Sequence, residues 1–208
     1  MKKTLIAVAC VAVLMVPGSA LADAAGSAFG ALSTASTVGM GHGNFGFAIG
    51  IADATSFTGS FNYGLSDHMD GRLKLGLIDY DGGDTEIAIG ADFKYQIVSM
   101  DSVTNGPFDM AIGGLGEYYS VGELSVVQIG GHYTGSYPIL LESGGTLTPY
   151  GRFSIRMESI SNGASDTELE IGLHGGVHWA FSSTLGFWGE FQLDGNDGVF
   201  FGIDFSAL

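Results

Sequence analysis

From Asn44 to the C-terminus, large apolar side chains fall on every second residue, and this period of two constrains the chain more than any other feature. Successive side chains of a strand point to opposite faces, so the pattern calls for strands with one apolar and one polar face. The first segment sets Phe45, Phe47, Ile49 and Ile51 against Gly46, Ala48, Gly50 and Ala52. The clearest sets Ile87, Ile89, Ala91, Phe93, Tyr95 and Ile97 against Glu86, Ala88, Gly90, Asp92, Lys94 and Gln96. Similar runs near 57–65, 73–77, 108–119, 124–134, 153–157, 169–181, 185–193 and 201–205 predict about ten strands, with eight or twelve as alternatives. Turn-rich breaks such as Asp81-Gly82-Gly83-Asp84 and Asp194-Gly195-Asn196-Asp197-Gly198 separate them. Gly113-Gly114 is the expected bulge in the fifth strand. The stretch Tyr137–Leu141 reads either as an extra short strand or as loop.

The N-terminus carries an address. Lys2 and Lys3 precede an apolar run from Leu5 to Val16, Pro17-Gly18 breaks it, and Ala20-Leu21-Ala22 offers the small residues a signal peptidase reads. The run is short for a spanning helix, which needs about 20 apolar residues. Residues 1–22 are therefore expected to be a cleaved signal peptide. The only cysteine, Cys10, lies within it, so the mature chain is expected to hold neither disulfide nor catalytic thiol. Residues 23–43, small and without alternation, read as a flexible periplasmic lead in preference to a segment tucked against the barrel mouth, and 44–208 as one domain.

Removing Lys2 and Lys3 leaves 5 basic residues against 22 acidic ones, a formal charge of −17. That argues against nucleic acid as a partner, which needs a basic face. The mean hydropathy is nonetheless positive, and no second stretch approaches 18 continuous apolar residues. A chain this apolar that does not cross a membrane as helices is expected to cross as strands.

Alternation alone does not say which face points inward. All five remaining cations, Arg72, Lys74, Lys94, Arg152 and Arg156, lie on polar strand faces, interleaved with Glu86, Asp92, Glu168, Glu170 and Glu190. The rest of that face is mostly Gly, Ala, Ser and Asn, residues that let side chains crowd inside a narrow barrel. Phe45, Tyr63, Tyr95, Phe108, Tyr133, Phe153, Trp179, Phe187 and Phe205 supply an aromatic rim where an apolar wall would meet headgroups. About ten residues at ~3.3 Å, tilted ~45°, also cover close to the ~25 Å lipid-facing band. The expected fold is all-β: an antiparallel up-and-down transmembrane β-barrel with a lumen of paired charges.

The signal peptide, the alternating strands, the tight turn Tyr63-Gly64-Leu65-Ser66-Asp67-His68-Met69 and the aromatic-rich last strand resemble small bacterial outer-membrane barrels of the OmpA/OmpX type. The resemblance is one of pattern over 44–208. It implies the outer membrane of a Gram-negative cell, with lipid, lipopolysaccharide and the barrel-assembly machinery as partners. Members commonly end in an aromatic residue; here Leu208 takes that place.

No enzymatic constellation emerges, and no cofactor is expected. His174 and His178 have metal-ligand spacing for a helix, but on a strand they stand about 13 Å apart, too far to share one ion. Lumen histidines bonded to carboxylates are the expected reading. Two functions follow: an envelope or surface-interaction protein with a filled lumen, or a narrow cation-preferring channel through the space left by small residues on the first two strands. Oligomeric state is not legible. The exported protein is expected to begin at Asp23; N-terminal sequencing checks this, and a retained Lys2–Ala22 segment contradicts it.

Overall fold

A computed structural model describes residues 26–207 apart from 53, 81–84, 101–106, 143 and 162–164. The expected signal peptide with Cys10, its expected cleavage site, the Asp81–Asp84 turn and Leu208 lie outside the described residues. The strands are β1 (Gly43–Ile51), β2 (Ala54–Ser66), β3 (Met69–Tyr80), β4 (Glu86–Val98), β5 (Asp109–Val121), β6 (Leu124–Ser136), β7 (Ile139–Leu140), β8 (Thr146–Ser161), β9 (Ser165–Ala180), β10 (Leu185–Leu193) and β11 (Gly198–Ala207). The long strands pair antiparallel with their sequence neighbours, with β6 against β8 across the intervening segment and β1 against β11. Ten strands thus close into a barrel. The eleventh element, β7, adds two residues beside the start of β8, so the ambiguous Tyr137–Leu141 stretch is mostly connection.

Closure leaves no sheet edge, and the two faces differ as the alternation requires. Leu73, Ile129 and Leu169, each at least 64% exposed, face outward. Arg72, Lys74, Lys94, Arg152 and Arg156 are all buried inside. This inverts the usual arrangement of a water-soluble protein.

The expected bulge at Gly113-Gly114 is absent. Gly113 pairs with His132 and Gly114 with Gly131 in unbroken register, whereas the register shifts at Gly64/Ser66 and Gln96/Val98. The reason is close approach: a Cβ at Gly113 would strike the Phe93 carbonyl and the His132 ring.

The larger departure concerns the segment read as a periplasmic lead. Residues 26–38 run along the inside of the barrel, and Ala28, Phe29, Ala31 and Ala35 are buried within it. Gly26 lies against Asn196, in the β10–β11 connection; Gly39 lies against Gly64, where the chain turns outward to begin β1. The strap therefore runs from the far mouth to the near mouth, where β1 starts and β11 ends. Its small side chains, which carry no strand signal, are what a lumen already occupied by Arg and Lys can accommodate. Gly76 and Gly90 make the seat for its one aromatic: a Cβ on either would come within 2.9 Å of the Phe29 ring. Phe29→Ala is expected to cost about 3 kcal/mol, measured by urea unfolding in lipid vesicles; an unchanged midpoint would contradict the buried position.

Candidate functional site

An extended segment inside a barrel belongs to no sheet, so its backbone groups need partners elsewhere. Side chains from the wall supply them. At the far mouth, the Gly26 carbonyl accepts from Tyr119 and Gln128, and the Ser27 carbonyl accepts from Gln192 and Asn196 at 2.9 Å each. Farther along, Lys94 Nζ donates to the Thr34 carbonyl (2.8 Å), and the Ala35 N–H donates to Ser136 Oγ (3.0 Å). Ser36 Oγ donates to Asp109 (2.7 Å) and the Val38 N–H to Asp70 (3.2 Å).

The tightest engagement is at Ala31-Leu32. Both backbone N–H groups donate to the single carboxylate of Glu190, at 2.6 and 2.7 Å. Leu32 has φ of 37°, in the left-handed region. Consecutive N–H groups brought together by such a turn form a concave anion site, and Glu190 fills it. The left-handed conformation costs roughly 1–2 kcal/mol for a non-glycine residue; two charge-assisted hydrogen bonds offset it. From the opposite wall, Arg72 donates to the Ala31 and Leu32 carbonyls at 2.6 and 2.9 Å. The strap is clamped at one dipeptide by an anion on β10 and a cation on β3.

Arg72 is itself held by Asp92 (2.6 Å), which also meets Lys74 at 3.3 Å; Lys74 reaches Glu117 at 3.0 Å. The Lys74 ammonium stands 5.1 Å from the centre of the Phe29 ring, close enough for a cation–π contact. Lys94 faces Asp70 at 3.5 Å. Nearer the far mouth, Arg156 pairs with Asp194 (3.0 Å) and Glu158 (3.7 Å), and donates to the Asp194 carbonyl. His174 stands between Glu190 and Asp194, at 3.5 and 3.7 Å. His178 instead faces Asp204 at 2.9 Å, so the two histidines belong to separate groups.

Seven of the ten charges expected in the lumen are therefore inside: Arg72, Lys74, Asp92, Lys94, Arg152, Arg156 and Glu190. Of these, Arg152 is buried without an ion pair to a described residue. Glu86, Glu168 and Glu170 are not part of the cluster; Glu168 is exposed and the other two are half-buried, all near the far mouth. The carboxylates that complete the network are Asp70, Glu117, Glu158 and Asp194. Parity along the strands was the available signal for Glu117 and Glu158. Asp194 lies outside any strand and had none.

All nine aromatics expected at the rim lie on the outer face, 38–47% exposed. Trp179, Phe181 and Phe187 cluster near the near mouth, as do Phe45, Phe61 and Tyr63. Phe153 instead sits midway along β8.

No protein-family model matches this chain, and no curated protein matches it in sequence. Among solved structures it is similar to a KdgM porin, at 8% identity and a TM-score of 0.43, over 79% of this chain and 99% of that one. A KdgM porin in complex with disordered oligogalacturonate gives 6% identity with the same coverage and score. A de novo designed transmembrane β-barrel gives 13% identity and a TM-score of 0.39, over 81% of this chain and 97% of that one. These likenesses concern form alone.

The strap divides the lumen unevenly. Toward the far mouth, Tyr119, Gln128, Arg156, Gln192, Asp194 and Asn196 are all buried about it. Toward the near mouth, a cavity of about 600 Å³ remains between the strap and the wall of β1, β2, β10 and β11. Asp92→Ala, which leaves Arg72 and Lys74 short of a buried partner, is expected to destabilise the barrel by about 3–5 kcal/mol. Glu168→Gln, on the exposed side, is expected to change nothing measurable; equal effects in urea titration would contradict the network.

Proposed function

We propose that this chain is an integral outer-membrane barrel held closed by its own N-terminal strap, serving envelope integrity or surface interaction. The clamp on Ala31-Leu32 by Glu190 and Arg72 carries the reading. A conducting lumen needs a continuous wet path, and here the strap and the side chains bonded to it fill the far-mouth half. The outward apolar belt and its aromatics support placement in a bilayer, where closed strand pairing leaves no backbone group unpaired in lipid. The export signal at residues 1–22 supports the outer membrane of a Gram-negative cell, reached through the barrel-assembly machinery, with lipid and lipopolysaccharide around the wall. Affiliation with the OmpA/OmpX type belongs to the same proposal. In the usual orientation of such barrels the near mouth faces the periplasm.

The narrow cation-preferring channel is the second reading. Its supporting observation is the near-mouth cavity, which lies along the small-residue wall of β1 and β2. The cavity ends on the strap, so conduction would require the strap to leave. Planar-bilayer recording discriminates the two. Refolded mature protein is expected to stay silent, while Glu190→Ala, which frees one side of the clamp, is expected to show intermittent openings. Steady openings of the same size in the unaltered protein would overturn the closed reading. Heat-modifiable migration on a gel verifies that each sample is folded.

A further inference from the structure

The near-mouth cavity holds polar groups that the closed lumen does not use. On its wall, β1 contributes Gly46 and Ala48 and β11 contributes Gly202, and these small residues leave the space open. Among them stand Thr58, Ser60 and Asn62 of β2 and Thr146 and Thr148 of β8. None of these five side chains bonds to another described residue. Asn62 Oδ1 is buried and has no partner among the described residues, and Thr148 is only 6% exposed. A buried polar atom without a partner is costly unless something in the cavity answers it.

The charges around the same space are already answered. Lys94 is engaged by Asp70 and the Thr34 carbonyl, Arg72 by Asp92, and Asp109 by Ser36. Asp204 accepts from the Trp188 indole N–H at 2.8 Å and meets His178 Nε2 at 2.9 Å. The His178 ring stacks on Trp188 with centroids 3.9 Å apart, and both line the cavity. A charged ligand would have to displace one of these partners. A neutral one bearing hydroxyls meets open donors and acceptors on one wall and an aromatic surface on another. The volume falls in the ~300–1,000 Å³ range of small-molecule sites.

We propose that the near-mouth cavity is a binding site for a small neutral polyhydroxylated molecule, a mono- or disaccharide, held by Ser60, Asn62 and Thr148 against the Trp188–His178 pair. The five residues named for it all belong to the barrel wall and not to the strap, so bilayer recording and ligand titration fail independently. The chain has two tryptophans, and Trp179 faces outward. A Trp179→Phe background therefore leaves Trp188 as the fluorescent reporter.

That protein, refolded in a detergent without a sugar headgroup, is titrated with glucose, N-acetylglucosamine, maltose and trehalose, and with glucuronate and glucosamine as charged probes. A saturable Trp188 response to at least one neutral probe is expected. Thr148→Val, which keeps the shape and removes the hydroxyl, and Ser60→Ala are each expected to weaken it about tenfold. Gel migration confirms that both variants fold. Three results would overturn the proposal: no saturable response to any neutral probe, affinity untouched in both folded variants, or tighter binding of a charged probe.

Discussion

The structure depends on one requirement: a peptide segment threaded through a lumen must have its backbone hydrogen bonds met by side chains. Sheet pairing is already complete around the closed barrel, so it offers the strap nothing. Glu190, Arg72, Lys94, Ser136, Gln192 and Asn196 do the work instead. Glu190, Arg72 and Lys94 are held in turn by a neighbour of opposite charge or by a second bond to the strap. The positions of the whole set, on several strands and in the β10–β11 connection, explain why the strap and the wall behave as one network rather than as a plug resting in a pipe. Buried charges are tolerated here because nearly every one meets a counter-charge or a backbone dipole.

This arrangement also gives meaning to the barrel's uneven filling. Bulky polar residues surround the strap toward the far mouth, whereas Gly46, Ala48 and Gly202 leave room toward the near mouth. The outcome is a vestibule that ends blind. The proposed closure and the proposed binding site meet at the clamp, where Leu32 and Arg72 also line the cavity.

The strands were legible because their signal is local. Ile87 to Ile97 alternate over a full strand, and the parity of each position put Arg72 and Asp92 on the same polar face, where the β3–β4 register brings them together. Parity gives face but not depth: Glu168 faces the same way as Arg156 yet lies exposed beside the β8–β9 turn. Gly113-Gly114 resembled a bulge because glycine marks both bulges and close approaches, and here the His132 ring decides for the second. The strap was invisible for a different reason. A segment bonded to side chains has no period of its own, and Ala, Gly, Ser and Thr suit a mobile lead as well as a crowded lumen. Glu190 and Arg72 could be read as inward-facing, but nothing in the sequence showed that they grip Ala31-Leu32.

The central claim is that residues 26–38 lie inside the folded barrel, and shielding of a single introduced cysteine tests it most directly. The mature chain is expected to lack cysteine, so Ala31→Cys and Met40→Cys each provide a unique thiol, at a buried and an exposed site. The account predicts that a bulky maleimide labels Met40→Cys rapidly in the folded barrel, and labels Ala31→Cys only after unfolding. Equal labelling of the two in barrels verified as folded would place the segment outside the lumen and contradict the account.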